Sequence, residues 1–331
     1  MSGRLKTLGL GPLGFGGAPL GNLYAPIDEA EALATLRAAW DLGLRHFDTA
    51  PHYGHGLSEH RFGCALRGLP RDSFVLSTKV GRLLSPAADA PSTQHGFVGT
   101  LPFVQRFDYS YDGALRSLED SLQRLGLARV DIVYIHDIDR HTQKDEQPRR
   151  FREAMEGAYK ALERLRAEGT VKAIGLGVNN WEVCRDALKH GDFDGFLLAG
   201  RYTLLDQSAL PELLPLCVER AAGIVIGGPY NSGILATGPV SGARYNYAPA
   251  TPEILARAGR FEAQCRRFDV PLRAAALQFP LGHPAVRAVI PGARSPAEVK
   301  ENVSLMNAPI PAEFWSALKA EGLLAPEVPT P

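Results

Sequence analysis

Four side chains able to hold or move a proton stand at or just beyond the ends of short apolar runs. Asp48 closes LRHFD, Lys79 closes SFVLSTK, His136 closes VDIVYIH, and Tyr53 follows Asp48 in HFDTAPHYGHG. A carboxylate at the end of a buried strand is costly unless a cation meets it. Lys79, the last polar residue of the next such run, is the candidate cation. A phenol titrates near 10, and bringing it to about 7 takes roughly 4 kcal/mol of preference for the phenolate. One ammonium at about 4 Å supplies that much at an effective dielectric near 20. The arrangement predicts a proton-transfer device in which Lys79 tunes Tyr53 toward neutral pH and Asp48 keeps Lys79 charged. Singly, the four read as a turn cap, a packed ring, a solvated amine and a core imidazole. Jointly, at successive strand ends, they point to chemistry.

Such a cluster needs a scaffold that brings strand ends to one rim. Short β-branched runs alternate with segments of helical period: EAEALATLRAAWDLG before LRHFD, then LSEHRFGCALRG, with Ser58 as the expected cap, before SFVLSTKVG. YSYDGALRSLEDSLQRLGL precedes VDIVYIHD, and FREAMEGAYKALERLRAEG precedes VKAIGLGVNN, which ends in Asn179 and Asn180. The pattern runs on through FDGFLLAG, IVIGGPY and VRAVIPGA, so strand then helix recurs about eight times with no hairpin signal between units. This is the sequence form of a parallel α/β (β/α)8 TIM barrel, expected as one domain over residues 1–331. A doubly wound nucleotide fold is disfavoured, because neither GLGPLGFGG nor GLGVNN makes the G-x-G-x-x-G turn into a helix. Segments 82–108, 139–148 and 231–250 lack either period and each follows a strand end, which predicts long loops over the C-terminal face, where substrates bind.

Composition narrows the partner. Among 331 residues, 36 basic side chains balance 36 acidic ones, which argues against nucleic acid or an anionic membrane and for a small molecule. Cys64, Cys184, Cys217 and Cys265 show no paired spacing and read as reduced thiols of a cytoplasmic protein. MSGRLKTLGLGPLGFGG carries no apolar leader, and no 18-residue apolar run occurs. Nothing in the sequence indicates an oligomeric state.

With these residues in view, the chain resembles the aldo-keto reductase superfamily along nearly its whole length. FDTAPHYG, STK and DIVYIHD carry the Asp, Tyr, Lys and His that family pairs with a barrel, and GFGG, GVNN, RYTLL, PYNSGIL and IPGARSPAEVKEN fall where it keeps cofactor and substrate contacts. The resemblance implies a nicotinamide cofactor, catalytic roles for Asp48, Tyr53, Lys79 and His136, and cofactor contacts from Gly16, Gly17, Asn179, Asn180, Ser232, Gly233, Leu235, Gly292, Arg294, Glu298 and Asn302. Tyr24, His52, Arg201, Tyr230 and Asn231 follow strand ends and are the candidate substrate contacts. The chain departs from the family pattern at Ala199, where a glutamine is usual, and at Gly227, where an aromatic often stacks on the nicotinamide. Glu298 stands where members preferring the 2′-phosphate often place arginine, which favours NAD, with NADP as the alternative.

Within the family, GFGGAPLGNLY, LLAGRYTLLDQ and PYNSGILA are most similar to the aldose 1-dehydrogenase subgroup of L-fucose and D-threo-aldose dehydrogenases, with pyridoxal 4-dehydrogenase and L-galactose dehydrogenase as relatives. That implies hydride transfer between the anomeric carbon of an aldose and nicotinamide, giving the lactone. A pyridoxal 4-dehydrogenase, an NADPH-dependent aldehyde or ketone reductase, and a nicotinamide-sensing regulatory subunit are the alternatives.

Overall fold

Strand pairing follows chain order. The computed structural model describes residues 3–331, so Met1 and Ser2 of the N-terminal stretch lie outside the described residues. Eight strands, β1 (Phe15–Gly16), β2 (His46–Asp48), β3 (Val75–Val80), β4 (Ile132–His136), β5 (Ala173–Val178), β6 (Gly195–Ala199), β7 (Gly223–Gly227) and β8 (Val286–Ile290), form one sheet in that sequence. Every neighbouring pair is parallel. Parallel bridges Leu13↔Val289 and Gly16↔Gly292 join β1 to β8, which makes the sheet a barrel. All residues of β3, β4 and β5 are buried, the burial expected of parallel strands with helices outside and packed side chains within.

The short helix Arg4–Thr7 sends Leu5 against Gly195 and Gly223, the first residues of β6 and β7. Leu5, Leu10, Val75, Ile132, Tyr134 and Ala288 share one cluster inside the barrel. The N-terminal mouth is thereby plugged and the C-terminal mouth is left for a site. Outer helices begin where the sequence offers caps: Asp28 accepts from Ala30, Ser110 from Gly113, and Thr251, followed by Pro252, from Ile254. No helix among the described residues is long and apolar enough to cross a membrane.

Two expectations are corrected. Helix Leu57–Leu66 is not capped by Ser58; it begins after Gly56, and the Ser58 hydroxyl turns inward, donating to the Gly17 carbonyl at 3.0 Å and pairing with Thr49 at 2.9 Å. The three segments read as patternless do overhang the C-terminal mouth, but they are structured. The first holds an antiparallel hairpin, Arg82–Pro86 against Phe103–Phe107, and a smaller one, Thr93–Gln94 against Phe97–Val98. The second contains helix Arg140–Gln143, and the third helix Ile234–Thr237 followed by the ladder Arg244–Tyr245 with Ala248–Pro249. Two to five residues per strand are too few to display a period in sequence.

Candidate active site

Asp48 lies opposite Ser77 in the β2–β3 register, and Lys79, two residues on, projects from the same side of β3. Lys79 Nζ donates to Asp48 Oδ2 at 2.7 Å and to the Thr49 carbonyl at 2.8 Å, while the Ser77 hydroxyl donates to Asp48 Oδ1 at 2.7 Å. A Cβ on Gly177 of β5 would stand 3.2 Å from Lys79 Cε, so glycine there gives the lysine stem its passage. Burial raises the Asp48 carboxyl above the ordinary range, with Lys79 and Ser77 pulling against it.

The lysine also lies over the Tyr53 ring, 4.7 Å from its centroid. The phenol nevertheless moves opposite to expectation: burial first, then Asp48 and Asp137, hold it well above its usual value, with Arg82 opposing. Lys79 is already satisfied by Asp48 and Thr49, so Tyr53 meets a compensated pair and a second carboxylate rather than a bare ammonium. His136 closes the cluster, its ring 6.1 Å from that of Tyr53. Burial, then Lys79 and Arg82, hold it well below the usual imidazole range, so it is neutral near pH 7.

Beside His136 lies a polar chain that sequence reasoning missed. Arg82 Nη2 meets Asp137 Oδ2 at 2.5 Å, Arg82 Nη1 donates to Gln105 Oε1 at 2.8 Å, and the Gln105 amide lies 2.8 Å from His52 Nδ1. An acid directly after a strand-end histidine was the available signal, but its partner stands 55 residues away. His52 itself sits near both chemical rings, 5.8 Å from His136 and 6.2 Å from Tyr53. His55 has a structural role: its Nδ1 meets the Phe103 carbonyl at 2.7 Å and pins the long hairpin.

A cavity of about 450 Å³ opens from Asp48 and Tyr53 between the loops after β1, β6, β7 and β8. Gly16, Gly17, Ser232, Gly233, Gly292, Arg294 and Glu298 line it, as do Tyr24, Tyr230 and Asn231. Ala199 and Gly227, the two departures from the family pattern, pair across β6 and β7 and both line it. Gly16 and Gly17 also serve the fold, since a Cβ on either would meet the backbone of β8 or β2 within 3 Å. Arg294 spends its guanidinium on the carbonyls of Leu23, Ala25 and Pro26, at 3.0 to 3.1 Å, and Glu298 Oε2 accepts from the Arg294 amide at 2.8 Å.

Several expected contacts stand differently. Leu235 is fully buried in the core, away from the cavity wall. Asn302 also lies behind that wall, accepting from the Tyr230 hydroxyl at 2.7 Å, so these two hold each other. Arg201 is committed to the Asn179 carbonyl, Asp206 and Asn246 at 2.7 to 3.1 Å. Asn231 is occupied by Thr203 and the Gly200 carbonyl, and Asn180 Oδ1 by the His141 amide. Asn179 is also absent from the cavity wall, but its side-chain oxygen is buried without a partner. An orphaned amide oxygen after β5, with a glycine-lined cavity beside a buried cluster of titratable side chains, suits a carboxamide-bearing ring and the dinucleotide attached to it. The described residues hold no cluster of His, Cys, Asp and Glu able to bind a metal.

The barrel carries a cluster of titratable side chains at its C-terminal rim, where barrel enzymes keep their active sites, and the comparisons with known proteins give the class. The chain belongs to the aldo/keto reductase family, whose sequence model matches residues 12–321. It is an NAD(P)-dependent oxidoreductase. It is 46% identical to pyridoxal 4-dehydrogenase of Microbacterium luteolum over 95% of this chain and 94% of that protein. Identity is 44% to D-threo-aldose 1-dehydrogenase of a Pseudomonas species, over 98% and 96% of the two chains. An aldo-keto reductase from Bacillus halodurans in its holo form superposes with a TM-score of 0.69 at 27% identity, covering 96% of this chain and 93% of that one.

Proposed function

We propose that the protein oxidises a cyclic hemiacetal at its anomeric carbon to the lactone, with an aldose of the L-fucose or D-threo-aldose type as substrate and NAD as hydride acceptor. The observation carrying this reading is the Lys79–Asp48 pair beneath Tyr53, with neutral His136 beside it, at the end of a glycine-lined cavity. The 44% identity to a D-threo-aldose 1-dehydrogenase supports the substrate class. Identity of 46% to a pyridoxal 4-dehydrogenase supports pyridoxal as the second reading, and pyridoxal also closes a hemiacetal ring through its own hydroxymethyl group.

In this reading a bound nicotinamide would supply the hydride acceptor; Ala199 and Gly227 would bound its ring, and the unpartnered Asn179 oxygen would be available to its carboxamide. As the phenolate, its own proton first released to solvent, Tyr53 would accept the proton of the anomeric hydroxyl while the C1 hydrogen leaves as hydride, so the C–O bond becomes the lactone carbonyl. Burial keeps the phenol neutral near pH 7, and a positive charge brought beside it favours ionisation, in the same sense as Arg82. His136 hydrogen-bonds the reacting oxygen and Asp48 holds Lys79 in place. NAD is supported by Glu298, a carboxylate at the cavity wall, and by Arg294, whose guanidinium is already taken by three carbonyls rather than free for a 2′-phosphate.

The test is Tyr53→Phe assayed with L-fucose, D-arabinose, L-galactose and pyridoxal against NAD and NADP. Turnover should fall by about 10²-fold or more, with cofactor affinity nearly unchanged. A Phe variant that turns over normally removes Tyr53 as the acid/base. A wild type that oxidises pyridoxal and no sugar replaces the first substrate reading by the second.

A further inference from the structure

Asp137 follows His136 directly and holds a left-handed backbone, φ 55°, a region side chains other than glycine rarely adopt. Its amide donates to the Gly177 carbonyl at 2.9 Å. Its carbonyl accepts from Gln143 Nε2 at 2.8 Å and from the Tyr109 hydroxyl at 3.2 Å. Strain of this kind persists only where the surroundings impose it, and it gathers at working sites. Its effect here is to turn the carboxylate back over the strand end, with Oδ2 3.4 Å from His136 Nε2 and 2.5 Å from Arg82 Nη2. His136, Asp137 and Arg82 are each only 6% exposed, and a buried ion pair contributes little net stability. Its position against His136 therefore calls for another account.

The two nitrogens of the ring are not equivalent. Nδ1 is buried without a partner, whereas Nε2 has a carboxylate beside it. A carboxylate favours the tautomer whose proton it faces. The other groups facing the ring are Lys79, paired with Asp48 from β2, and the rings of Tyr53 and His52 from the loop after β2. By itself Asp137 would draw a second proton onto the imidazole; Arg82 at 2.5 Å balances that charge.

We propose that Asp137 and Arg82 are positioning residues for His136: Asp137, facing Nε2 at 3.4 Å without hydrogen-bonding it, keeps the ring proton there for donation to the reacting oxygen, and Arg82 balances the carboxylate so that His136 remains a neutral donor. The proposal rests on the oxidoreductase reading of this site. A neutral imidazole steadies charge on that oxygen in either direction of hydride transfer without itself leaving an ion in the cavity.

The test uses the full chain labelled with ¹⁵N, in which long-range ¹H–¹⁵N spectra report the tautomer and titration of each histidine ring without turnover, His136 being assigned by its loss in His136→Gln. The wild type should show a neutral ring protonated on Nε2. Asp137→Asn, which suits a left-handed backbone, should mix the tautomers. Arg82→Gln should raise the ring's titration by about one pH unit or more, and Arg82→Lys should restore it. In steady state, Asp137→Asn and Arg82→Gln should lower kcat about tenfold or more with cofactor KM unchanged. The acid limb of kcat/KM should move to higher pH in Arg82→Gln but not in Arg82→Lys. Wild-type tautomer and titration in both Asp137→Asn and Arg82→Gln overturn the proposal even if activity is lost. Spectra that change as stated, in a wild type that turns over none of the sugars or pyridoxal, leave the positioning role standing and sink the hemiacetal-oxidation reading instead.

Discussion

Replacing Lys79 by methionine removes the cation that meets the buried Asp48 carboxylate while keeping a stem of similar length. The ammonium lies 2.7 Å from Asp48 Oδ2, with side-chain exposures of 1% and 2%. At an effective dielectric of about 20, that separation corresponds to roughly 6 kcal/mol of attraction, much of it offset by drying both ions. The substitution leaves the carboxylate buried and unpaired, which costs about 3–5 kcal/mol. Unfolding entropy for 331 residues is near 0.7 kcal/mol/K, so the midpoint should fall by about 4–7 °C. The loss must also depend on pH. Asp48 already binds its proton more readily folded than unfolded, and losing Lys79 strengthens that difference. A carboxyl raised on folding favours the native state below its unfolded value near 3.9 and costs stability as pH rises through the folded value. The deficit of Lys79→Met is therefore largest near pH 8 and shrinks toward pH 4. Denaturant unfolding at both pH values, with Asp48→Asn and the double variant, measures it. The double variant leaves no charge and should recover most of the loss. A deficit independent of pH, or a double variant no more stable than Lys79→Met, refutes the assignment of this pair.

His46 is wholly buried with both ring nitrogens unpartnered, and burial pushes it down to about 4. Its folded value lies below the unfolded 6.5, so stability is complete above about pH 6.5 and drains as pH falls toward 4; His46→Leu should remove about 1.4 kcal/mol per pH unit from that slope, measured by urea unfolding. Glu298→Gln removes the carboxylate from the cavity wall while Arg294 stays bound to the Leu23, Ala25 and Pro26 carbonyls. The NADP to NAD ratio of kcat/KM should then rise about tenfold, and an unchanged ratio removes Glu298 from cofactor choice.

The loops explain how a common barrel acquires a particular rim. Segment 82–108 runs out as two hairpins and returns, and in doing so brings Arg82 and Gln105 to one face of the cluster. Arg294 ties the loop after β8 to the carbonyls of residues 23–26 after β1, so the cavity wall is held across the closing seam of the barrel. Tyr24 and Arg244 meet over that cavity, the guanidinium 4.9 Å from the ring.

The amino-acid sequence by itself determined the eight strands, because runs such as VDIVYIH are apolar enough to be buried on both faces, and it put Asp48, Lys79 and His136 at their ends. Chain-order pairing and the parity of a strand then sufficed to bring Asp48 and Lys79 together across 31 residues. Only the tertiary structure decided how those groups are charged. Tyr53 read in isolation with Lys79 should ionise easily; in the folded protein it is dried and meets Asp48 and Asp137, and the sum of those fields reverses the sign. The tertiary structure likewise decided that Arg201, Asn231 and Asn302 are occupied while the Asn179 oxygen is left without a partner, and that Arg82 crosses 55 residues to reach Asp137. Hydrophobic period is a local property, legible a few residues at a time. Electrostatic environment and hydrogen-bond occupancy are sums over neighbours that only the closed barrel and its loops bring together.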